Sequence, residues 1–247
     1  MRKFVLLLLS TGMLFLTSCF DIVEEVYLNK DGSGTYTTKI DASGLFSNPF
    51  MKSALEEAAK EEGGEAVNME QDSLMYYRDM EGFSDLSDGE KAKVKDLNMR
   101  IQMSESKSEF LITSSIPFNS FEELAELHEI INKVQSKNES GGGLMGGSNP
   151  FTGTSPLFKQ GKRELIRLAE KTGSDSDTDM DDETMDMAKM FMADAHMTTI
   201  YHLPGKVKKC DIPNAEVNGS TVTIKNSLLD MMDKKVTQEG SIKYGRK

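Results

Sequence analysis

The sequence predicts an α+β fold in which an antiparallel sheet, built from N- and C-terminal strands, carries helices packed on it. Three observations predict it. A hairpin pattern occupies residues 22–40, strand patterns return from residue 196 onward, and the segments between carry apolar residues at helical spacing.

An address precedes this body. Arg2-Lys3 is followed by an apolar run over residues 4–16, closed by Leu16-Thr17-Ser18-Cys19. A charged start, a short apolar stretch and small residues before a cut make an export signal, and Thr17-Ser18 directly before a cysteine adds the lipobox of bacterial lipoproteins. The expectation is a lipoprotein signal peptide over residues 1–18 and a single α+β domain over 19–247. Cys19 then starts the processed chain and bears the lipid, palmitate included. The run is too short to span a bilayer comfortably, whereas several acyl chains on one residue hold more firmly than one.

Without residues 1–18 the chain has 27 basic against 40 acidic residues, a net charge of −13. Such a surface repels nucleic acid and anionic headgroups. Of the two cysteines, lipidation takes Cys19, so Cys210 has no intrachain disulfide partner.

Within the body, residues 22–28 mix branched, aromatic and charged side chains, Asn29 to Gly34 supply turn chemistry, and residues 35–40 return as a strand. The first strand begins about three residues after Cys19, so the body should sit close to the bilayer. Asn48 and Pro49 open a helix with Met51, Leu55, Ala58 and Ala59 on one side, ending near Gly63-Gly64. Residues 72–79 suggest a short strand, and Ser87-Asp88-Gly89-Glu90 a capping box opening a helix to about Asp96. Leu97, Met99, Ile101 and Met103 alternate with polar residues, as do Phe110, Ile112, Ser114 and Ile116, predicting a hairpin with one buried face. Ser120 and Glu123 form a second capping box before Phe121, Leu124, Leu127, Ile130, Ile131 and Val134, which recur at helical spacing.

A glycine-rich flexible loop is expected near residues 138–156, without the spacing of a phosphate loop. A second flexible stretch, the acidic linker near 173–183, leads to a helix over 186–195. The tail reads as strands over 196–203, 206–212, 215–217 and 221–224, the last two joined across Asn218-Gly219.

Few residues carry chemistry. Asp175, Asp177, Asp179, Asp181, Glu183 and Asp186 place oxygen donors at positions 1, 3, 5, 7, 9 and 12 of a calcium-loop template. Position 6, however, is Met180 where a glycine is wanted, and a solvated acidic linker is the plainer reading. Met180, Met185, Met187, Met190, Met192 and Met197 fall within eighteen residues around His196. Core packing, a pliant apolar binding surface at Met187 and Met190, or Cu(I) ligation would each use them. His128 is expected at a helix surface or boundary, His196 at a strand start and His202 within a strand. None stands in a nucleophile-elbow or HExxH context, so no enzyme is expected. Asp72-Ser73-Leu74 fits a three-residue O-glycosylation pattern, with Ser73 as acceptor.

Tyr201-His202-Leu203-Pro204-Gly205-Lys206-Val207, Asn214 and Val217 to Thr223 resemble the end of uncharacterised envelope lipoproteins of Bacteroidota, and Asp31-Gly32-Ser33-Gly34 is similar to their opening hairpin. More remotely, the layout resembles the mycobacterial LppM-type lipoprotein domain, which implies glycolipid binding and no catalytic residue. The sequence thus predicts a non-enzymatic envelope lipoprotein, at the outer membrane, held by its lipid and binding an envelope protein or a lipid-like ligand. A calcium- or copper-binding protein and a structural assembly component are the alternatives.

Overall fold

The computed structural model describes residues 20–44, 70–136, 154–155, 157–168, 171–172 and 193–246. Strands β1 (Asp21–Leu28) and β2 (Gly34–Asp41) form the opening hairpin. Its turn follows from its residues. The Asp31 carboxylate accepts from the Ser33 backbone N–H at 3.1 Å and the Ser33 hydroxyl at 2.7 Å, and Gly32 takes φ 94°, a left-handed value that glycine adopts at little steric cost.

β3 (Glu70–Tyr76) gives way to 3-10 turns at Tyr77–Asp79 and Glu81–Asp85, ending earlier than the expected strand over 72–79. Helix α1 (Asp88–Val94) opens on the capping box: Ser87 Oγ accepts from the Glu90 N–H at 3.4 Å, and the Glu90 carboxylate accepts from the Ser87 N–H at 2.9 Å. Strands β4 (Asn98–Ser104) and β5 (Glu109–Phe118) pair as the expected hairpin. In helix α2 (Phe121–Gln135), Ser120 caps as foreseen, but Glu123 reaches back to the Asn119 N–H at 2.6 Å, so the second capping box does not close on Ser120 itself.

The α2 face that buries Leu124 and Ile131 also buries His128, only 8% exposed. This corrects its expected surface or boundary position. Residue 128 lies four after Leu124 and three before Ile131, and helical geometry places all three on one stripe.

Short strands β6 (Thr154–Ser155) and β9 (Lys171–Thr172) pair with each other, while β7 (Phe158–Gly161) and β8 (Glu164–Arg167) form a hairpin between them in sequence. Then follow β10 (His196–His202), β11 (Val207–Cys210), β12 (Ala215–Asn218), β13 (Thr221–Ser227), α3 (Leu228–Met232) and β14 (Gly240–Tyr244). Residues 193–195 are a turn and strand lead-in, not the end of a helix; the rest of the expected helix 186–195, the helix from Asn48 and the acidic linker lie outside the described residues, as does most of the glycine loop.

Eight strands form the main sheet in the order β12-β13-β10-β1-β2-β5-β4-β3. The sheet is mixed, not antiparallel throughout, because central β1 pairs parallel with β10 and antiparallel with β2. Alternation in sequence encodes which face a side chain takes, not the direction of the neighbouring strand. Nor do all tail strands join it: a second, four-stranded sheet has the order β11-β14-β8-β7, with β14 pairing with β8. That sheet and α2 pack on one face of the main sheet, with Val26, Tyr36, Ile116, Phe118, Tyr201 and Val222 below and Leu124, Ile130, Phe158 and Leu165 above.

The last hairpin turns at Gly219-Ser220, one residue later than read, since Asn218 pairs with Thr221. Gly219 sits at φ 64°, as a Gly-first two-residue turn demands. An added Cβ there meets nothing within 4 Å, so Gly219→Val introduces backbone strain alone. We expect a loss of about 1–2 kcal/mol, read as a lower Tm; an unchanged melting curve would contradict the turn assignment.

Candidate functional site

Strand register divides the inner face of the main sheet, the one under α2 and the second sheet, into rows. The uppermost rows, led by Leu28 and Val26, belong to the packed core. Towards the N-terminal end of β1 comes a row containing Thr199, Glu24, Thr38 and Ser114. Below it Ile22, Ile40, Ile112 and Ile101 stand side by side on β1, β2, β5 and β4, flanked by Met197 on β10 and Ser73 on β3. A last row brings Phe20, Ala42, Phe110 and Met103 to the end of the sheet. Two apolar rows thus form a floor next to the start of β1, under a polar belt.

The belt is built around a buried ion pair. Glu24 alternates in register with Ile22, Val26 and Leu28, so its side chain must face inward; it is 1% exposed and Arg167 of β8 is 2% exposed. The guanidinium donates to both Glu24 carboxylate oxygens, at 2.8 and 3.2 Å, and to the Tyr201 hydroxyl at 3.0 Å, and it lies over the Phe158 ring at 5.7 Å. This fork joins the two sheets. Burial pushes the Tyr201 and Tyr36 hydroxyls well above the usual tyrosine range, keeping both neutral. Nearby, the Thr199 hydroxyl donates to Gln238 at 3.1 Å, while the buried Ser114 Oγ and His128 Nδ1 have no hydrogen-bond partner among the described residues. Burial holds His128 down to about 4, and its ring stands edge-on to Tyr36 with centroids 4.8 Å apart.

The sequence reading missed Glu24, Arg167 and Tyr201. A signal was present in the parity of β1, which places one acid among apolar inward positions, and in Leu165 and Arg167, which share one face of β8.

The predicted site residues fare unevenly. Cys19, the acidic set Asp175, Asp177, Asp179, Asp181, Glu183 and Asp186, and Met187 and Met190 lie outside the described residues, with Met180, Met185 and Met192. His196 and Met197 are successive strand residues and so face opposite sides of the sheet. Met197 joins the floor, while His196 Nδ1 lies 3.7 Å from Asp21 on the outer face. Ser73 lies on edge strand β3, its hydroxyl accepting from Gln71 at 2.8 Å. His202 ends β10 on the outer face, stacked on Tyr27 with centroids 4.0 Å apart.

Among the described residues no group of three or more His, Cys, Asp and Glu side chains is placed to hold a metal ion, and no helix is long and apolar enough to cross a membrane. Two surface depressions, of about 280 Å³ beside Leu97, Phe118 and Leu127 and about 440 Å³ beside Leu28, Lys30 and Pro204, contain neither histidine nor cysteine.

No family model and no curated protein matches the chain. Among solved structures it is similar to the folded domain of LppM from Mycobacterium tuberculosis, at 10% identity and a TM-score of 0.43, over 95% of this chain and 94% of that one.

Proposed function

We propose that the protein is a non-enzymatic lipoprotein of the bacterial envelope, held at the outer membrane through lipid on Cys19, and that its body binds an apolar, acyl-chain-like ligand. The observation that carries the binding reading is the stripe Ile22-Ile40-Ile112-Ile101 with Phe110 and Met103 beneath it. Ile22, Ile112 and Phe110 are buried, whereas Ile40, Ile101 and Met103 are half-buried, and covering those partly exposed apolar side chains with another apolar body is favourable. The lipobox ending at Cys19 carries the anchor, and the turn motif Asp31-Gly32-Ser33-Gly34 with the tail motif around Pro204-Gly205 supports the Bacteroidota type. Ser73, at the end of the isoleucine stripe, is the proposed glycan acceptor.

Two variants test the reading. Cys19→Ala is expected to lose labelling by an alkyne fatty acid and to leave the membrane fraction, because the acyl chains supply most of the membrane affinity; label persisting on it would contradict the anchor. Ile101→Asp places a charge at a half-buried position of the stripe and is expected to strip a co-purifying apolar molecule from the protein while its circular dichroism stays native. An unchanged apolar content would contradict the floor as the binding surface.

The acidic set from Asp175 to Asp186 supports a second reading, calcium binding, through its donor spacing. Calorimetry with calcium, before and after replacing Asp175, Asp177 and Asp179 by asparagine, tests it.

A further inference from the structure

The structure places a half-buried apolar rim at the end of the sheet where the anchor would emerge, and we propose that this rim docks on the lipid bilayer. The inference rests on the Cys19 anchor proposed above. Strand β1 begins at Asp21, so Phe20 alone separates it from Cys19. A lipid on Cys19 therefore leaves no tether by which the body could stand off, and whatever surrounds Phe20 must meet the bilayer.

What surrounds Phe20 suits that contact. Phe20 packs on both apolar clusters at this end: one of Ile22, Ala195 and Leu228 with Met197, Leu229 and Met231, the other formed by floor residues of β2, β4 and β5. Phe20, Leu229 and Met231 are only half-buried. Helix α3 follows β13 without a break, its first residue held by the Leu228 N–H donating to the Ala195 carbonyl at 2.9 Å, which fixes Leu229 and Met231 in the cluster that includes Phe20. Flexible thioether and phenyl side chains tolerate the irregular boundary between headgroups and acyl chains.

Charge plays a minor part in this docking. Lys235, just beyond α3, is paired with Asp230 at 3.7 Å and Asp233 at 2.7 Å, so its charge is matched within the protein. Apolar contact thus sets the orientation, and the proportion of anionic lipid should alter it little. The far end of the sheet points away from the membrane: Tyr27 lies seven residues along β1 from Phe20, about 23 Å at strand rise.

The chain has no tryptophan, so one introduced indole is a clean depth reporter. Full-length lipidated protein carrying Leu229→Trp, Met231→Trp or Tyr27→Trp is reconstituted in phosphatidylcholine vesicles with or without bromine on the acyl chains, and acylation is checked by mass. Brominated lipid is expected to quench the indole at 229 or 231 about twofold, as shallow insertion implies, and to leave the indole at 27 unchanged. Melting curves show which variants are folded, and either rim position suffices. Acylated protein whose rim indoles escape quenching, or whose position 27 is quenched equally, overturns the docking while leaving the anchor intact. Protein recovered without acyl mass and unbound to vesicles overturns the anchor and the docking with it.

Discussion

Arg167→Met is expected to destabilise the protein by about 3–5 kcal/mol. The reason is the charge left behind. Glu24 is 1% exposed and its two carboxylate oxygens each accept from the Arg167 guanidinium. With methionine in place the carboxylate must either stay charged in a buried site without its guanidinium or take up a proton, and both cost free energy. The Tyr201 hydroxyl, within 3.0 Å of the guanidinium, loses its donor as well. Adding Glu24→Leu should recover most of the loss, because a buried pair replaced on both sides by apolar groups is often close to neutral. Urea denaturation of the wild type, the single and the double variant measures this. A single variant within about 1 kcal/mol of wild type would mean that the two sheets do not depend on the fork.

The second large effect is a loss of stability in mild acid. Burial holds His128 down to about 4, whereas an imidazole in the unfolded chain takes its proton near pH 6.5. Above that value both states are neutral at this position and its contribution to stability is fully present. As pH falls from 6.5 towards 4 the unfolded chain binds a proton that the folded chain refuses, so stability declines, by about 3 kcal/mol over the whole interval. His128→Leu should flatten that part of the pH profile and, since Nδ1 has no hydrogen-bond partner to lose, leave stability at pH 7.5 unchanged or higher. Parallel pH profiles for the two proteins would show that residue 128 is not the buried neutral group described.

Local order was well marked in the sequence wherever one residue's chemistry decides it. Ser87 and Glu90 announced α1, the stripe from Phe121 to Val134 announced α2, and the alternation through Met99 and Ile112 announced a hairpin. Long-range pairing was not marked. Nothing in residues 196–202 distinguishes a parallel from an antiparallel partner, and the second sheet joins β7 and β8 to β11 and β14 across long stretches of chain. The floor was half visible: Met99, Ile101 and Met103 declared an apolar face, but only register aligns Ile101 with Ile112, Ile40 and Ile22. The belt was overlooked because Glu24 reads as one more charge in a mixed strand until its neighbours at two-residue spacing are seen to be buried. His128 was misplaced for a related reason: a polar side chain within an apolar helical stripe takes the environment its position dictates, and here that is the core.

The proposed function depends on the chemistry of Cys19 and on what the folded body carries. Mass spectrometry of the intact protein, purified from membranes without denaturation, tests both at once. The expected result is a chain that begins at Cys19, heavier than its sequence by several acyl groups, and that releases an acyl-bearing molecule when the complex is dissociated. A chain that retains Met1 with no acyl mass, or an acylated chain that releases nothing apolar, would contradict the anchor in the first case and the binding floor in the second.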